Sequence, residues 1–75
     1  MKEVVLNCIG EDCRVSMEKV EEALSQLEVG DALAVQINQI CAGTKVPVWA
    51  RKNGHHVEII EVEDGEWEII IEKAN

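Results

Sequence analysis

The residues best able to do covalent chemistry in this sequence are its three cysteines, Cys8, Cys13 and Cys41. An odd count with no scaffold-like spacing argues for free thiols rather than a disulfide framework. Cys13 stands at the start of an amphipathic run, in "GEDCRVSMEKV" (residues 10–20). A thiol there would feel the unpaired N–H groups and dipole of a helix N-terminus, which favour the thiolate, the form that acts as nucleophile. Arg14 adds a neighbouring cation, while Glu11 and Asp12 oppose it. Ser16 can satisfy a free N–H in the first turn. The plainer reading of Cys13 is an inert cysteine at the end of a loop.

Cys8 falls in phase with Val4 and Leu6 on an apolar run, so it reads as a core residue. Cys41 lies in a loop, QICAG, after a second apolar run. If the strands before Cys13 and Cys41 are parallel, both loops emerge at one end of the sheet and the two thiols share a rim. Such a pair could form a disulfide, hold a metal or pass sulfur between its members; otherwise Cys41 is a plain loop thiol. His55-His56 has no partner at metal-ligand spacing, so no metal is expected and His55 reads as a capping or surface residue. Trp49 and Trp67 read as core, and the glutamate-rich C-terminal stretch as a solvated face. No Ser-His-Asp set, phosphate loop or paired-carboxylate motif is present.

Period and turn signals set the elements that must position these residues. KEVVLNCI (2–9) is β-branched-rich and stops at Gly10, which predicts a strand. Val20, Ala23, Leu24 and Leu27 recur at helical spacing, predicting a helix over 14–28 that ends near Gly30. ALAVQIN alternates as a second strand. Thr44 is expected to cap a second helix with Pro47 in its first turn, Val46, Trp49 and Ala50 on its buried stripe, and Asn53-Gly54 at its end. VEIIEVE and EWEIIIEK flank Asp64-Gly65, a strong hairpin signal. Val57 and Ile59 alternate, but Ile60 and Val62 fall out of phase, which predicts a bulge near Ile59-Ile60. The order is β-α-β-α-β-β, with parallel first and second strands and a final antiparallel pair. The expected fold is an α+β two-layer sandwich: a four-stranded mixed sheet with both helices on one face.

Composition narrows the function. Seventy-five residues, 47% of them apolar, suit a single domain over 1–75. The formal charge of −8 argues against direct contact with nucleic acid or an anionic membrane, and steers the chain toward basic clefts on partner proteins. The short N-terminal apolar run does not make a signal peptide, and no stretch is long enough to span a membrane, so a cytoplasmic protein is expected.

Over essentially its whole length the chain resembles the TusA family of small sulfur carriers, also called SirA-like. "VPVWARKNGHHVEIIEVEDG" resembles the family's I-P-x-W-A-x-x-x-G-H-E followed by a strand and turn, with Pro47, Trp49, Ala50, Gly54 and His55 at matching positions. "LNCIGEDC" resembles L-D-x-x-G-L-x-C, with Leu6, Gly10 and Cys13 matching. The family's C-P-x-P is here C-R-V-S, so Arg14 and Ser16 replace both prolines; Asn7 replaces Asp, and Glu11 replaces Leu. Asn38-Gln39-Ile40 stands where the family often has Asp-Asp-Pro. The resemblance implies a β-α-β-α-β-β sandwich and a cofactor-free carrier. In it, Cys13 would accept sulfane sulfur from a cysteine desulfurase or rhodanese-like donor and pass it, as a persulfide, to an acceptor protein. Arg14, Ser16 and Cys41 would support the site. The alternatives are a non-catalytic binding or regulatory module on the same fold, and a redox- or metal-responsive Cys13–Cys41 pair.

Overall fold

A computed structural model describes residues 2–75. The elements follow in the order β1 (Glu3–Asn7), α1 (Cys13–Ser25), β2 (Ala32–Ile37), α2 (Ile40–Lys52), β3 (His56–Glu63) and β4 (Glu66–Glu72). The sheet runs β1-β2-β4-β3. β1 pairs with β2 in parallel, and β4 pairs antiparallel with both β2 and β3. Placing β4 beside β2 puts the C-terminal hairpin half inside the sheet, with β3 at its edge.

Both helices cover one face. Val20, Leu24 and Leu27 from the α1 side and Ala42, Val46 and Ala50 from α2 pack on Leu33, Val35, Ile37, Ile69 and Ile71. These aliphatic side chains interdigitate without any fully buried aromatic; Trp49 and Trp67 are half-buried at the margin of the core. Gly43 of α2 packs on the tip of a β2 side chain. A Cβ there would lie 3.3 Å from Ile37 Cδ1, so a larger residue would require that side chain to give by a few tenths of an ångström.

Both helix boundaries differ from the sequence reading. α1 stops at Ser25 rather than residue 28, because the chain turns through Gln26–Gly30 and Lys73 reaches over from beyond β4. Lys73 Nζ donates to the carbonyls of Leu24 and Leu27 at 2.8 and 2.7 Å, supplying the cation that the last turn of α1 lacks. α2 begins at Ile40, four residues before Thr44, so Thr44 is not its cap. The Thr44 hydroxyl instead donates to the Ile40 carbonyl at 3.2 Å, an intrahelical back-bond. Pro47 therefore lies inside the helix rather than in its first turn, and is buried.

The expected bulge at Ile59-Ile60 does not occur. Val57 and Ile59 stand opposite Ile71 and Ile69 on the covered face, and Ile60 stands opposite Glu68 on the open face. Alternation simply continues, and the edge strand leaves Ile59 and Ile60 both exposed, one on each face. The irregularity sits between Glu61 and Glu63, beside the Asp64-Gly65 turn.

Candidate functional site

The site forms at the end of the sheet where β1 and β2 finish. Parallel pairing brings both following segments to that rim. There the chain joins Cys13 to Cys41 in a disulfide, with Cα atoms 5.7 Å apart. That separation falls inside the usual window of roughly 4.4–6.8 Å. Cys41 is not in a loop: it occupies the first turn of α2, as Cys13 occupies the first position of α1. Two packed helices thus present their N-termini, each with a cysteine, to one another. Cys13 is half-buried and Cys41 exposed.

Asp12, not Ser16, caps α1. Its carboxylate accepts from Val15 N at 2.9 Å, the usual bond from an N-cap to the third helical residue. Ser16 lies one residue further on, on the inner face of the helix, where its hydroxyl is buried with no hydrogen bond of good geometry. It stands close enough to the Cys8 thiol to favour ionisation slightly. Desolvation outweighs this and pushes the Cys8 thiol up. Cys8 is fully buried and free, a core thiol as its strand phase indicated. Arg14 is exposed on the outer face of α1 and pairs with Glu18 at 3.5 Å.

Two asparagines hold the loop before Cys13. Asn7 Oδ1 accepts from Ile9 N at 2.9 Å, and Asn38 Oδ1 accepts from Gly10 N at 3.0 Å across the rim. The loop also bonds through Cys8 N to the Gln36 carbonyl and through Glu11 N to the Cys8 carbonyl. Gly10 adopts a positive φ of 82°, which favours glycine at this turn. Backbone-directed asparagine bonds are thus what fix the loop in C-R-V-S. In the sequence Asn7 and Asn38 stand out only as departures from the family pattern. The signal for Asp12 was an acidic residue at the N-cap position; Asn38 pairs across 28 residues and left no local signal.

The opposite helix start is barer. Gln39, the N-cap of α2, makes no side-chain cap bond. Among the described residues no side chain caps the first-turn N–H groups around Cys41. Apolar surface surrounds them. Ile40 is 77% exposed. A hollow of about 330 Å³ is lined by Ile40, Gly43, Thr44, Ile59 and Trp67.

His55 stands at the other end of α2. Its Nδ1 accepts from Ala74 N at 3.1 Å, and its backbone N bonds the Ala50 carbonyl, closing the helix. Burial, and secondarily the Lys73 charge, lower its pKa. Among the described residues no group of three His, Cys, Asp or Glu converges as a metal site, and no helix is long and apolar enough to cross a membrane.

Residues 4–73 match the family model described as sulfurtransferase TusA. The chain belongs to the TusA family. Relatives named as candidate sulfur carrier proteins agree. One from Archaeoglobus fulgidus is 27% identical over 93% of this chain and 96% of its own. TsuB of Escherichia coli K12 is 26% identical over 92% and 93% of the two chains. One from Thermotoga maritima is 36% identical over 88% and 85%. The crystal structure of a SirA-like protein from Desulfitobacterium hafniense superposes with a TM-score of 0.86 over 96% of this chain and 99% of that one. At 20% identity, that last likeness concerns the TusA fold alone.

Proposed function

We propose that the chain is a cytoplasmic sulfur carrier in which reduced Cys13 accepts sulfane sulfur as a persulfide and hands it to an acceptor protein. The observation that carries the reading is the position of Cys13: the first residue of a capped helix, half-exposed at the sheet rim, in a chain whose family supplies sulfur carriers. The thiolate attacks the outer sulfur of a donor persulfide, the donor thiolate leaves, and the same exchange in reverse sense unloads Cys13. No cofactor is needed. The donor would be a cysteine desulfurase or a rhodanese-like protein. The strongly acidic chain suits basic docking faces on donor and acceptor.

A non-catalytic module on the same fold is the second reading, and C-R-V-S in place of C-P-x-P favours it. The test separates them. Reduced Cys41→Ser protein is incubated with a cysteine desulfurase and cysteine, and its intact mass is read. The carrier gains one sulfur atom that dithiothreitol removes, and Cys13→Ser abolishes the gain. A mass that never changes means the module.

A further inference from the structure

The carrier reading uses Cys13 and leaves Cys41 without a role, although the fold joins the two. We propose that Cys41 is a resolving thiol: it discharges the Cys13 persulfide as free hydrosulfide, giving the chain a sulfide-releasing activity in addition to protein-to-protein transfer. The inference rests on the reading that Cys13 carries the sulfur.

Geometry selects which sulfur is attacked. With Cα atoms 5.7 Å apart, the Cys41 sulfur meets Cys13 Sγ itself on this backbone, since the disulfide is made there. The terminal sulfur of a Cys13 persulfide would lie one S–S bond, about 2 Å, further out. Attack at the inner sulfur is therefore what the frame has built in. The Cys41 thiolate forms a bond to Cys13 Sγ. The bond between that Sγ and the terminal sulfur breaks, and its electron pair leaves with the terminal sulfur as HS⁻. The sulfane sulfur is reduced to sulfide, the two cysteines are oxidised to the disulfide, and no outside oxidant enters. A dithiol reductant then reopens the disulfide and returns both thiols for another round.

Local structure favours Cys41 as the attacking partner. It is exposed, it sits in the first turn of α2, and Gln39 leaves that turn without a side-chain cap, so its N–H groups and dipole favour a thiolate. Cys13, half-buried one residue after the Asp12 cap of α1, has already made its own attack in the loading step and enters this one as the sulfur that is attacked. Cys8 cannot substitute, being fully buried in the core.

The test is a single turnover. A cysteine desulfurase is persulfidated with cysteine, freed of the excess by gel filtration, and mixed with reduced wild-type, Cys41→Ser, Cys41→Ala or Cys13→Ser protein. Released sulfide is trapped with monobromobimane while intact mass is followed. Wild-type protein is expected to release one hydrosulfide per chain and end two hydrogens lighter than its reduced form, with Cys13 linked to Cys41. Both Cys41 variants are expected to keep the added sulfur and release sulfide only when dithiothreitol is added. Wild-type protein that holds its added sulfur, or Cys41 variants that release sulfide at the wild-type rate, overturn the proposal while leaving the carrier intact. Sulfur retained with its position divided between Cys13 and Cys41 also overturns it, since that is attack on the outer sulfur. Cys41 variants that gain no sulfur overturn the carrier reading, and this inference with it.

Discussion

Three cysteines within one small chain have three different environments, and alkylation can tell them apart. In the disulfide-linked structure Cys41 is exposed and Cys13 half-buried, both at helix N-termini, whereas Cys8 is fully buried with its thiol pKa pushed up by desolvation. After reduction, iodoacetamide near neutral pH is expected to label Cys13 and Cys41 and to spare Cys8 until the protein is denatured; without prior reduction none of the three should label. Peptide mapping of the labelled protein checks both statements, and early labelling of Cys8 would show that the rim loop opens more readily than its bonds to Asn7 and Asn38 allow. The Asp12 cap is a second residue-scale test. Asp12→Ala removes the acceptor of Val15 N and is expected to destabilise by about 0.5–2 kcal/mol, read in urea denaturation. Ser16→Ala should be nearly neutral or stabilising instead, because its buried hydroxyl has no good partner to lose.

At the scale of elements, the α1 stripe and the Lys73 clamp carry the helix. Leu24 is almost fully buried against the sheet, so Leu24→Ala is expected to cost about 2–5 kcal/mol. Lys73→Met keeps most of the side-chain bulk but leaves the Leu24 and Leu27 carbonyls without their donor, and is expected to cost roughly 1–3 kcal/mol. Chemical denaturation midpoints of the two variants check both figures. The contrast between them also shows what the sequence made legible. The periodicity of Val20, Leu24 and Leu27 and the Asp64-Gly65 turn gave β-α-β-α-β-β and the covered face, because each is a local signal repeated within a few residues. The crossover rule for two strands joined through a helix makes β1 and β2 parallel, and that alone puts Cys13 and Cys41 on one rim. Contacts such as Lys73 on α1, or Asn38 on the Cys13 loop, span many residues with no pattern to mark them. The start of α2 was missed because Thr44 is a good cap by type, while Gln39 caps the helix only with its backbone. The Ile59-Ile60 pair was misread as a bulge because an exposed isoleucine on an edge strand looks the same in sequence as a slip of register.

The whole molecule is governed by its charge. Fifteen Asp and Glu face seven Lys and Arg. Much of the open sheet face is acidic, with Glu3, Glu58, Glu68 and Glu72 alternating away from the helices. One acid titration belongs to this scale too. The folded state lowers the pKa of His55 through burial, so the unfolded chain binds its proton first. That stability is fully present above the unfolded value of about 6.5 and is lost as pH falls from there through the folded value. His55→Gln is expected to flatten the thermal midpoint against pH across that window. Salt decides between two opposing electrostatic terms. Screening weakens ion pairs, but those among the described residues, Arg14 with Glu18 and Lys19 with Glu11, lie at the surface and contribute little. Screening also relieves repulsion among unpaired carboxylates, which destabilises the compact state whenever net charge is far from zero. The second term should prevail in a chain of charge −8. Raising sodium chloride from roughly 0.01 to 0.1 M shortens the screening length from about 30 to about 10 Å. The thermal midpoint should therefore rise by a few degrees, where about 4–8 °C corresponds to 1 kcal/mol in a domain of this size. A midpoint that falls with salt would mean that the two surface pairs outweigh the acidic face. Glu68→Gln, which removes one repelling charge and no ion pair, should raise the midpoint at low salt and lose that advantage at high salt.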